Sequence, residues 1–231
     1  MKDRNIKTLI YKNGTKLTPD YFEELCVAGL SICKVSCHGW DRMSFAHWMS
    51  KDYFDEVRDS LIKCKNIIKE KKYDTYLQTH HLINDVDNAE HQLEMYKKNW
   101  VEYTGLEAEI WVNHNWGGLM DKDNGKLLSD NYNVPRSKLY ESRKKRSCGR
   151  PLANTVELRA GGLDGKMGAV VPCNIVMGHD SKAVLGHASE TPLMEIMNGE
   201  AYQHVRDVHI RKDFDELDYC KDCDQLIDAD E

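Results

Sequence analysis

Long apolar stretches are missing from this sequence. No run of roughly 18 consecutive apolar residues occurs, and about that many are needed to cross a bilayer as a helix. The first residues also lack the basic segment and the apolar core that are typical of a secretory signal peptide. We therefore expect a cytoplasmic protein with no membrane partner.

An excess of positive charge is missing as well. The 231 residues include 32 Lys and Arg against 38 Asp and Glu, which gives a formal net charge of −6. General binding to nucleic acid needs a basic surface, so we expect no nucleic-acid partner. Hydrophobic residues make up 41% of the chain, which is enough to build the core of one large domain or of a medium domain and a small one.

Cysteine is comparatively abundant, with eight residues. In a reducing compartment such a number indicates metal binding more than disulfides. Four cysteines stand in the last third of the chain, and the final two form a C-x-x-C pair that places two thiolates on one side of a tight turn. With two distant cysteines, such a pair completes a tetrahedral zinc site or the ligand set of a [4Fe–4S] cluster, and the spacing leaves both open. The candidate metal ligands are Cys148, Cys173, Cys220 and Cys223.

The other four cysteines fit the predicted apolar faces of helices and strands. Cys33 and Cys37 share one face of a predicted strand with Val35, because alternate residues of a strand point the same way. We interpret Cys26 and Cys64, on predicted helices, in the same way, as small hydrophobic side chains of the core.

Hydrophobic periodicity predicts strands that alternate with helices through the first half of the chain. The first helix begins at Pro19 after Thr18 as N-cap and ends before Gly29, and the third carries a buried stripe of Ala89, Leu93, Tyr96 and Trp100. A β-α-β order of this kind favours a parallel sheet with right-handed crossovers. The predicted strands cover residues 7–11, 32–37, 75–83 and 107–113, and further helices cover 52–71 and, in the last third, 192–206.

The sequence around the last four cysteines is more specific than their spacing. Its distinctive segments are CGRP at 148–151, ELRAGG at 157–162, GAVVPC at 168–173, VLG at 184–186, PLMEIMN at 192–198 and YCKDC at 219–223. In this order they resemble the SPASM (or shorter twitch) domain, which follows the catalytic barrel in many radical S-adenosylmethionine enzymes and carries an auxiliary [4Fe–4S] cluster. The resemblance implies that the four cysteines are the ligands of one such cluster, and a zinc site is the less favoured alternative.

The first half of the chain resembles the second half of a radical SAM barrel. The segments YKNGTKLT at 11–18, AGL at 28–30 and VSCHGWD at 35–41 look like those that end successive barrel strands. The resemblance implies an α/β fold in which a partial (β/α)6 barrel of about four parallel strands precedes a small cysteine-rich iron–sulfur domain. The corresponding boundaries are residues 1–118 for the partial barrel, 119–147 for a linker and 148–231 for the SPASM-like domain.

Two motifs of the family are absent from this sequence. Radical SAM enzymes use a C-x-x-x-C-x-x-C loop to bind the catalytic cluster that reduces S-adenosylmethionine to a 5′-deoxyadenosyl radical, and a Gly-Gly-Glu segment faces the amino group of that cosubstrate. In this chain the nearest approach is Cys33-x-x-x-Cys37, followed by Trp40 at the third position. S-adenosylmethionine is therefore expected as a cofactor only together with a separate polypeptide that supplies the missing strands, and whether this chain is an enzyme stays open.

The resemblance also implies where ligands would bind in the first half. Asn13 and Ser36 follow or end predicted strands on the open face, where we expect the S-adenosylmethionine side of the site. Ordinary turn and strand-end hydrogen bonding is the alternative for both. The family acts on peptides and small molecules, and the alternative function is a non-catalytic iron–sulfur module for electron transfer or partner docking.

Histidines also stand near functional positions. Acid/base chemistry or polar lining is one role for those near predicted strand ends, and a structural role is the alternative; they are His38, His80, His81 and His114. Four others could replace a thiolate ligand, although four cysteines leave none of them needed: His179, His187, His204 and His209.

Overall fold

The computed structural model forms two compact units, Met1–Asn113 and His114–Glu231. The structure describes residues 6–83, 88–112, 146–153, 156–160, 166–176, 181–221, 223 and 227–228. His114 and His179, most of the predicted linker and residues 1–5 lie outside this part of the chain. Within the described residues, no helix has the length and apolar character that a membrane crossing requires.

The first unit is built on a four-stranded sheet in the order β1-β2-β3-β4. All three neighbouring pairs are parallel, with Leu9 opposite Ile32 in the first pair. The prediction of an α/β fold with about four parallel strands is confirmed. The strands are β1 (Leu9–Lys12), β2 (Ile32–Ser36), β3 (Tyr76–Ile83) and β4 (Ala108–Val112).

Four helices connect these strands, and the last of them continues as a π-helix. Thr18 caps the first helix by accepting a hydrogen bond of 3.3 Å from the backbone N–H of Tyr21, and Pro19 begins that helix as predicted. The helices are α1 (Pro19–Val27), α2 (Arg42–Trp48), α3 (Phe54–Lys71) and α4 (Ala89–Tyr96), and the π-helical segment covers Lys97–Glu102.

Two details of the helices differ from the sequence prediction. Helix α2 was not predicted; it begins at a capping box in which Asp41 and Ser44 satisfy each other's backbone N–H groups. On α4, Gln92 is buried with Tyr96 and Trp100, whereas Leu93 is 39% exposed. The stripe therefore repeats every four residues rather than alternating three and four, in keeping with the wide turns of the π segment that follows.

The core of the first unit lies between one face of the sheet and the helices. Alternate residues of β2 point into it, and both Cys33 and Cys37 are fully buried there. Cys26 on α1 and Cys64 on α3 are buried in the same core. All four thiols thus lie at the buried positions that the periodicity indicated.

In its described residues, the second unit contains short antiparallel strands and two α-helices. Strand β5 (Arg146–Ser147) pairs with β9 (Ile227–Asp228), and the order β6-β7-β8 describes a three-stranded sheet. The remaining strands are β6 (Glu157–Arg159), β7 (Ala169–Val171) and β8 (Gly186–His187), and the helices are α5 (Leu193–Asn198) and α6 (Glu200–Arg211).

The single helix predicted over 192–206 is therefore wrong. Gly199 adopts an extended conformation (φ −73°, ψ 163°) that ends α5 and serves as the N-cap of α6. Ile196 on α5 and Val205 on α6 are both buried, as the prediction required of their inner faces. Helix α6 then runs on to Arg211, beyond the predicted end.

Candidate metal centre

Four cysteines of the second unit line one cavity. Cys148 follows β5, Cys173 lies two residues after β7, and Cys220 and Cys223 follow the 3₁₀ segment Phe214–Glu216. The cavity has a volume of about 20 Å³. The fold thus brings together the four cysteines that the sequence grouped, and their role as metal ligands stays a prediction.

Tight turns place the C-x-x-C pair on this cavity. The backbone N–H of Cys220 donates a 2.7 Å hydrogen bond to the carbonyl of Leu217, and that of Cys223 donates one of 3.0 Å to the carbonyl of Cys220. Successive turns of this kind reverse the chain within a few residues. Both thiols of the pair can therefore face the same space.

The cavity adjoins a hydrophobic core. Cys220 is buried within that core, and Cys148, Cys173 and Cys223 are partly buried against it. The described residues that line the cavity include no carboxylate. Thiols in an apolar shell are the donors that soft metals and iron–sulfur clusters prefer, and such a shell limits the access of solvent to a bound metal.

The size of the space bears on which metal would fit. Among the residues that the structure describes, no group of three or more His, Cys, Asp or Glu is arranged to hold a single metal ion. The cavity of about 20 Å³ has room for roughly one water molecule. The donor set of four thiols is the feature of this cavity that fits an iron–sulfur cluster.

The thiols influence one another electrostatically. Burial raises the pKa of the Cys220 thiol well above its ordinary range, and the nearby sulfurs of Cys173, Cys223 and Cys148 raise it further. Burial also raises the pKa of Cys148, and a backbone hydrogen bond at Arg150 opposes that rise. Metal binding at this site must therefore displace protons from the thiols.

His209 also belongs to this site, although the sequence analysis considered it only as a substitute ligand that was not needed. Its side chain is buried in the last turn of α6, with Nδ1 3.2 Å from the carbonyl oxygen of Cys148 and Nε2 3.6 Å from the Sγ of Cys220. The helical spacing from the buried Val205 gave the only signal, because i and i+4 share a helix face. Of the other histidines considered as substitute ligands, His204 is exposed on the same helix.

A second polar cluster lies on the face of the first unit's sheet opposite the face that holds Cys33 and Cys37. Tyr11 is paired in register with Lys34, and His80 with Glu109. Lys34 reaches over the intervening strand to Glu109, with 2.6 Å between Nζ and Oε1. The alternation of side chains places these residues on one face.

His80 is buried among aromatic rings on that face. Its ring centroid lies 5.5 Å from that of Tyr11, 5.4 Å from that of His38 and 5.0 Å from that of Trp111. Neither ring nitrogen of His80 has a hydrogen-bond partner, and Nδ1 of His38 and Oε2 of Glu109 are also buried without one. Burial lowers the pKa of His80, and it lowers that of His38 to about 4. Neutral, unpaired imidazoles of this kind can donate to and accept from a polar ligand.

His81, one residue further along β3, points into the core instead. Its ring stacks on Tyr96 with centroids 4.4 Å apart, and its Nδ1 is 3.5 Å from the backbone N–H of Gly39. A structural role, rather than acid/base chemistry or polar lining, therefore fits His81. The polar-lining interpretation fits the positions of His38 and His80.

The two residues predicted for the cosubstrate side lie at the same sheet edge. Lys12 is paired with Val35, so Asn13 and Ser36 are the next residues along neighbouring strands. Asn13 is exposed, and its side-chain oxygen accepts hydrogen bonds from the backbone N–H and the hydroxyl of Thr15, as in an Asx-turn. Turn chemistry thus accounts for Asn13 in this structure, and a cosubstrate contact stays a prediction for both residues.

Comparison with known families bears on the second unit. Residues 166–224 match the model of the SPASM family, an iron–sulfur cluster-binding domain. This part of the chain is similar to SPASM domains. The matched span contains Cys173, Cys220 and Cys223, and Cys148 precedes it. The SPASM resemblance is thus confirmed where the C-x-x-C pair lies.

Comparison with solved structures finds distant likenesses. A crystal structure of BtrN in complex with AdoMet and 2-DOIA is 12% identical, with a TM-score of 0.35, and the match covers 96% of this chain and 99% of that one. A structure of selenomethionine BtrN in an open conformation is also 12% identical, with a TM-score of 0.30 and coverage of 95% and 92%. No curated protein matches the chain.

Proposed function

We propose that Cys148, Cys173, Cys220 and Cys223 hold an auxiliary [4Fe–4S] cluster, and that the chain serves as the C-terminal part of a radical S-adenosylmethionine enzyme. The observation that carries the proposal is the convergence of these four thiols, from separate segments of a SPASM-type unit, on one cavity. A bound cluster supplies a one-electron acceptor. The protein's own contribution is to fix the four thiolates and to keep water away with the apolar core behind them.

The first unit would contribute part of the barrel in this proposal. Strand β1 pairs with β2 along one edge, and no strand pairs with its other edge in the described part of the chain. Leu9 and Tyr11 on β1 are each more than 40% exposed. An unpaired edge with exposed apolar side chains suits the addition of further strands. We therefore propose that a separate polypeptide, carrying a C-x-x-x-C-x-x-C loop, pairs with β1 to complete the site for S-adenosylmethionine near Asn13 and Ser36.

The substrate in this proposal is a peptide or a small molecule with polar groups. The sheet face around His80 offers donors and acceptors that have no partner within the protein, next to the partly exposed rings of Tyr11 and Trp111. A site that combines aromatic surface with a few converging polar groups is typical of small-ligand recognition. His38 and His80 would position such a substrate by hydrogen bonds.

The second candidate is a non-catalytic iron–sulfur module that transfers electrons or docks a partner. The observation that favours it is the absence of C-x-x-x-C-x-x-C from the sequence, because the reductive cleavage of S-adenosylmethionine by this family needs that loop. A zinc site is the third and less favoured alternative, because the family whose model matches residues 166–224 is an iron–sulfur cluster-binding domain.

One experiment separates the first two candidates. The anaerobically reconstituted chain is assayed for 5′-deoxyadenosine, alone and together with any polypeptide encoded immediately upstream that contains C-x-x-x-C-x-x-C. The enzyme proposal predicts product only in the combined sample, together with a complex that light scattering detects. Iron bound by the chain with no product in either sample would favour the module. Product from this chain alone would contradict the interpretation of the absent loop.

A further inference from the structure

The side chain of His209 joins two parts of the proposed cluster site. In sequence it lies 61 residues from Cys148 and 11 residues from Cys220. The ring nitrogen Nδ1 contacts the backbone carbonyl of Cys148, and Nε2 contacts the Sγ of Cys220. The edge-on contact of its ring with Phe214, with centroids 5.2 Å apart, restricts how the imidazole can turn.

The partners of the ring fix the direction of both hydrogen bonds. A carbonyl oxygen can only accept, so Nδ1 carries the hydrogen and donates to Cys148. In a neutral imidazole the other nitrogen is then an acceptor, so Nε2 accepts from the thiol of Cys220.

The same helix holds the segment after β5 at a second point. Arg206, one turn before His209 on α6, donates a hydrogen bond of 3.3 Å from Nε to the carbonyl oxygen of Pro151. Arg206 does not line the cavity, whereas His209 does. Of these two anchors on α6, His209 is thus the one that also contacts a cysteine of the C-x-x-C pair.

We propose that His209 is a positioning residue, which holds the Cys148 segment and the C-x-x-C turn in register so that their thiols can bind one cluster. The proposal rests on the proposed function for its consequence, though the two contacts exist without metal. Groups that orient metal ligands typically change metal affinity by about 10- to 100-fold when they are removed. In the metal-free chain His209 links two segments that are distant in sequence. Once Cys220 binds a metal as a thiolate, it no longer donates to Nε2, and the hydrogen bond from Nδ1 to the carbonyl of Cys148 is the contact that remains.

Three substitutions of His209 distinguish the effect of its contact with Cys148 from that of its contact with Cys220. His209→Leu removes both polar atoms and keeps an apolar side chain in the buried position. His209→Asn keeps an amide near the position of Nδ1, within reach of the Cys148 carbonyl, and His209→Gln extends an amide toward the position of Nε2 and Cys220. His204→Leu, on an exposed position of the same helix, is the matched control.

The first measurement uses the metal-free full chain. The rate at which an alkylating reagent labels Cys220 is followed by mass spectrometry, with thermal melting as a check that each variant is folded. Loss of a hydrogen bond of about 1 kcal/mol corresponds to roughly fivefold, so Cys220 in His209→Leu should react about five times faster than in the wild type. His209→Gln should restore most of the protection. An unchanged labelling rate in a folded His209→Leu variant would overturn the proposed contact.

The second measurement follows iron loss to a chelator from the reconstituted protein. We expect roughly 10-fold or faster loss from His209→Leu, slower loss from His209→Asn, which keeps a donor for the Cys148 carbonyl, than from His209→Gln, and the wild-type rate from His204→Leu. A variant that melts at a lower temperature but loses iron at the wild-type rate would show a merely structural role and would overturn the proposal. Failure of the wild type itself to bind iron would contradict the proposed function, and the labelling result would still decide the contact.

Discussion

The indole N–H of Trp100 donates a hydrogen bond of 2.9 Å to the carbonyl oxygen of Gly39. One residue earlier, Asn99 donates from Nδ2 to the carbonyl of Trp40 at 2.8 Å. Both donors lie in the π-helical segment Lys97–Glu102, and both acceptors lie in the loop that follows β2. π-Helical turns often occur at functional sites, and this one fixes the loop that carries His38.

We predict that Trp100→Phe lowers the free energy of unfolding by about 1–3 kcal/mol. The phenyl ring keeps an aromatic contact with Phe45 and Phe54, but the buried carbonyl of Gly39 loses its donor. Urea unfolding followed by circular dichroism measures the change. Tyr103→Phe is the control, because its exposed hydroxyl makes a long contact of 3.4 Å to Asp59, and we expect a change within about 0.5 kcal/mol. Equal effects of both substitutions would contradict this account of the loop.

We predict that Gly39→Ala destabilises the protein by roughly 3 kcal/mol or more. Gly39 has a φ of +133°, and a Cβ there would lie 2.3 Å from the backbone N and Cα of Phe45. Gly105→Ala is a matched comparison, since its φ of +64° is also left-handed but its Cβ would meet only the flexible end of Lys65. We expect about 1–2 kcal/mol for that substitution. A Gly39→Ala variant as stable as Gly105→Ala would show that helix α2 can shift.

His81 should make the protein sensitive to acid. Burial lowers the pKa of His81 from 6.5 to about 3. Between these two pH values the unfolded chain binds a proton at His81 and the folded chain does not. Its stabilising contribution is therefore present above pH 6.5 and is lost as the pH falls toward 3. At pH 4.5 this corresponds to about 2–3 kcal/mol.

The variant His81→Phe tests this directly. A phenyl ring can retain the stacking on Tyr96 but cannot bind a proton, so the unfolding free energy should fall less steeply between pH 6.5 and 4.5 than in the wild type. Met43→Leu, at an exposed position that carries no titratable group, is the control and should keep the wild-type slope. A slope that His81→Phe does not alter would mean that His81 is not a buried neutral group.

Sequence periodicity was sufficient for the first strands and helix of the sheet, because side-chain burial alternates along β1 and β2 and α1 has a side-chain N-cap. The buried alternation of Cys33, Val35 and Cys37 indicated β2, and Thr18 with Pro19 indicated the start of α1. Helix α2 was missed because its seven residues bury only Phe45, which is too little for a periodic signal. The break at Gly199 was not predicted because an isolated glycine is compatible with a continuous helix. In the structure Gly199 has an extended backbone, which separates α5 from α6.

The four thiols of the candidate site could be predicted from the sequence, but the contacts that other side chains make with them could not. Cysteine spacing and the flanking text grouped Cys148 with the C-x-x-C pair, whereas the contact of His209 with both depends on how α6 packs. The unpaired ring of His80 could not be inferred either, because its partners Tyr11 and Trp111 come from the two edge strands of the sheet. Contacts of this kind are set by register and packing, which one sequence does not specify.

The two groups of cysteines should respond differently to substitution. We predict that Cys33→Ala and Cys37→Ala reduce stability but leave the iron content of the reconstituted protein unchanged, since both thiols are buried in the first unit's core. Cys220→Ala should instead abolish most of the iron-dependent absorption. Thermal melting and iron analysis on the same samples provide the comparison. Loss of iron in Cys33→Ala or Cys37→Ala would mean that the ligands have been assigned to the wrong cysteines.

The central claim is that Cys148, Cys173, Cys220 and Cys223 of the second unit bind one [4Fe–4S] cluster. Its most direct test is the iron, sulfide and zinc content of anaerobically purified and reconstituted protein, with a Mössbauer spectrum of the ⁵⁷Fe-loaded sample. We predict about four iron and four sulfide per chain, a spectrum of a cubic cluster, and loss of that signal in Cys220→Ala. One zinc per chain with no bound iron would contradict the claim.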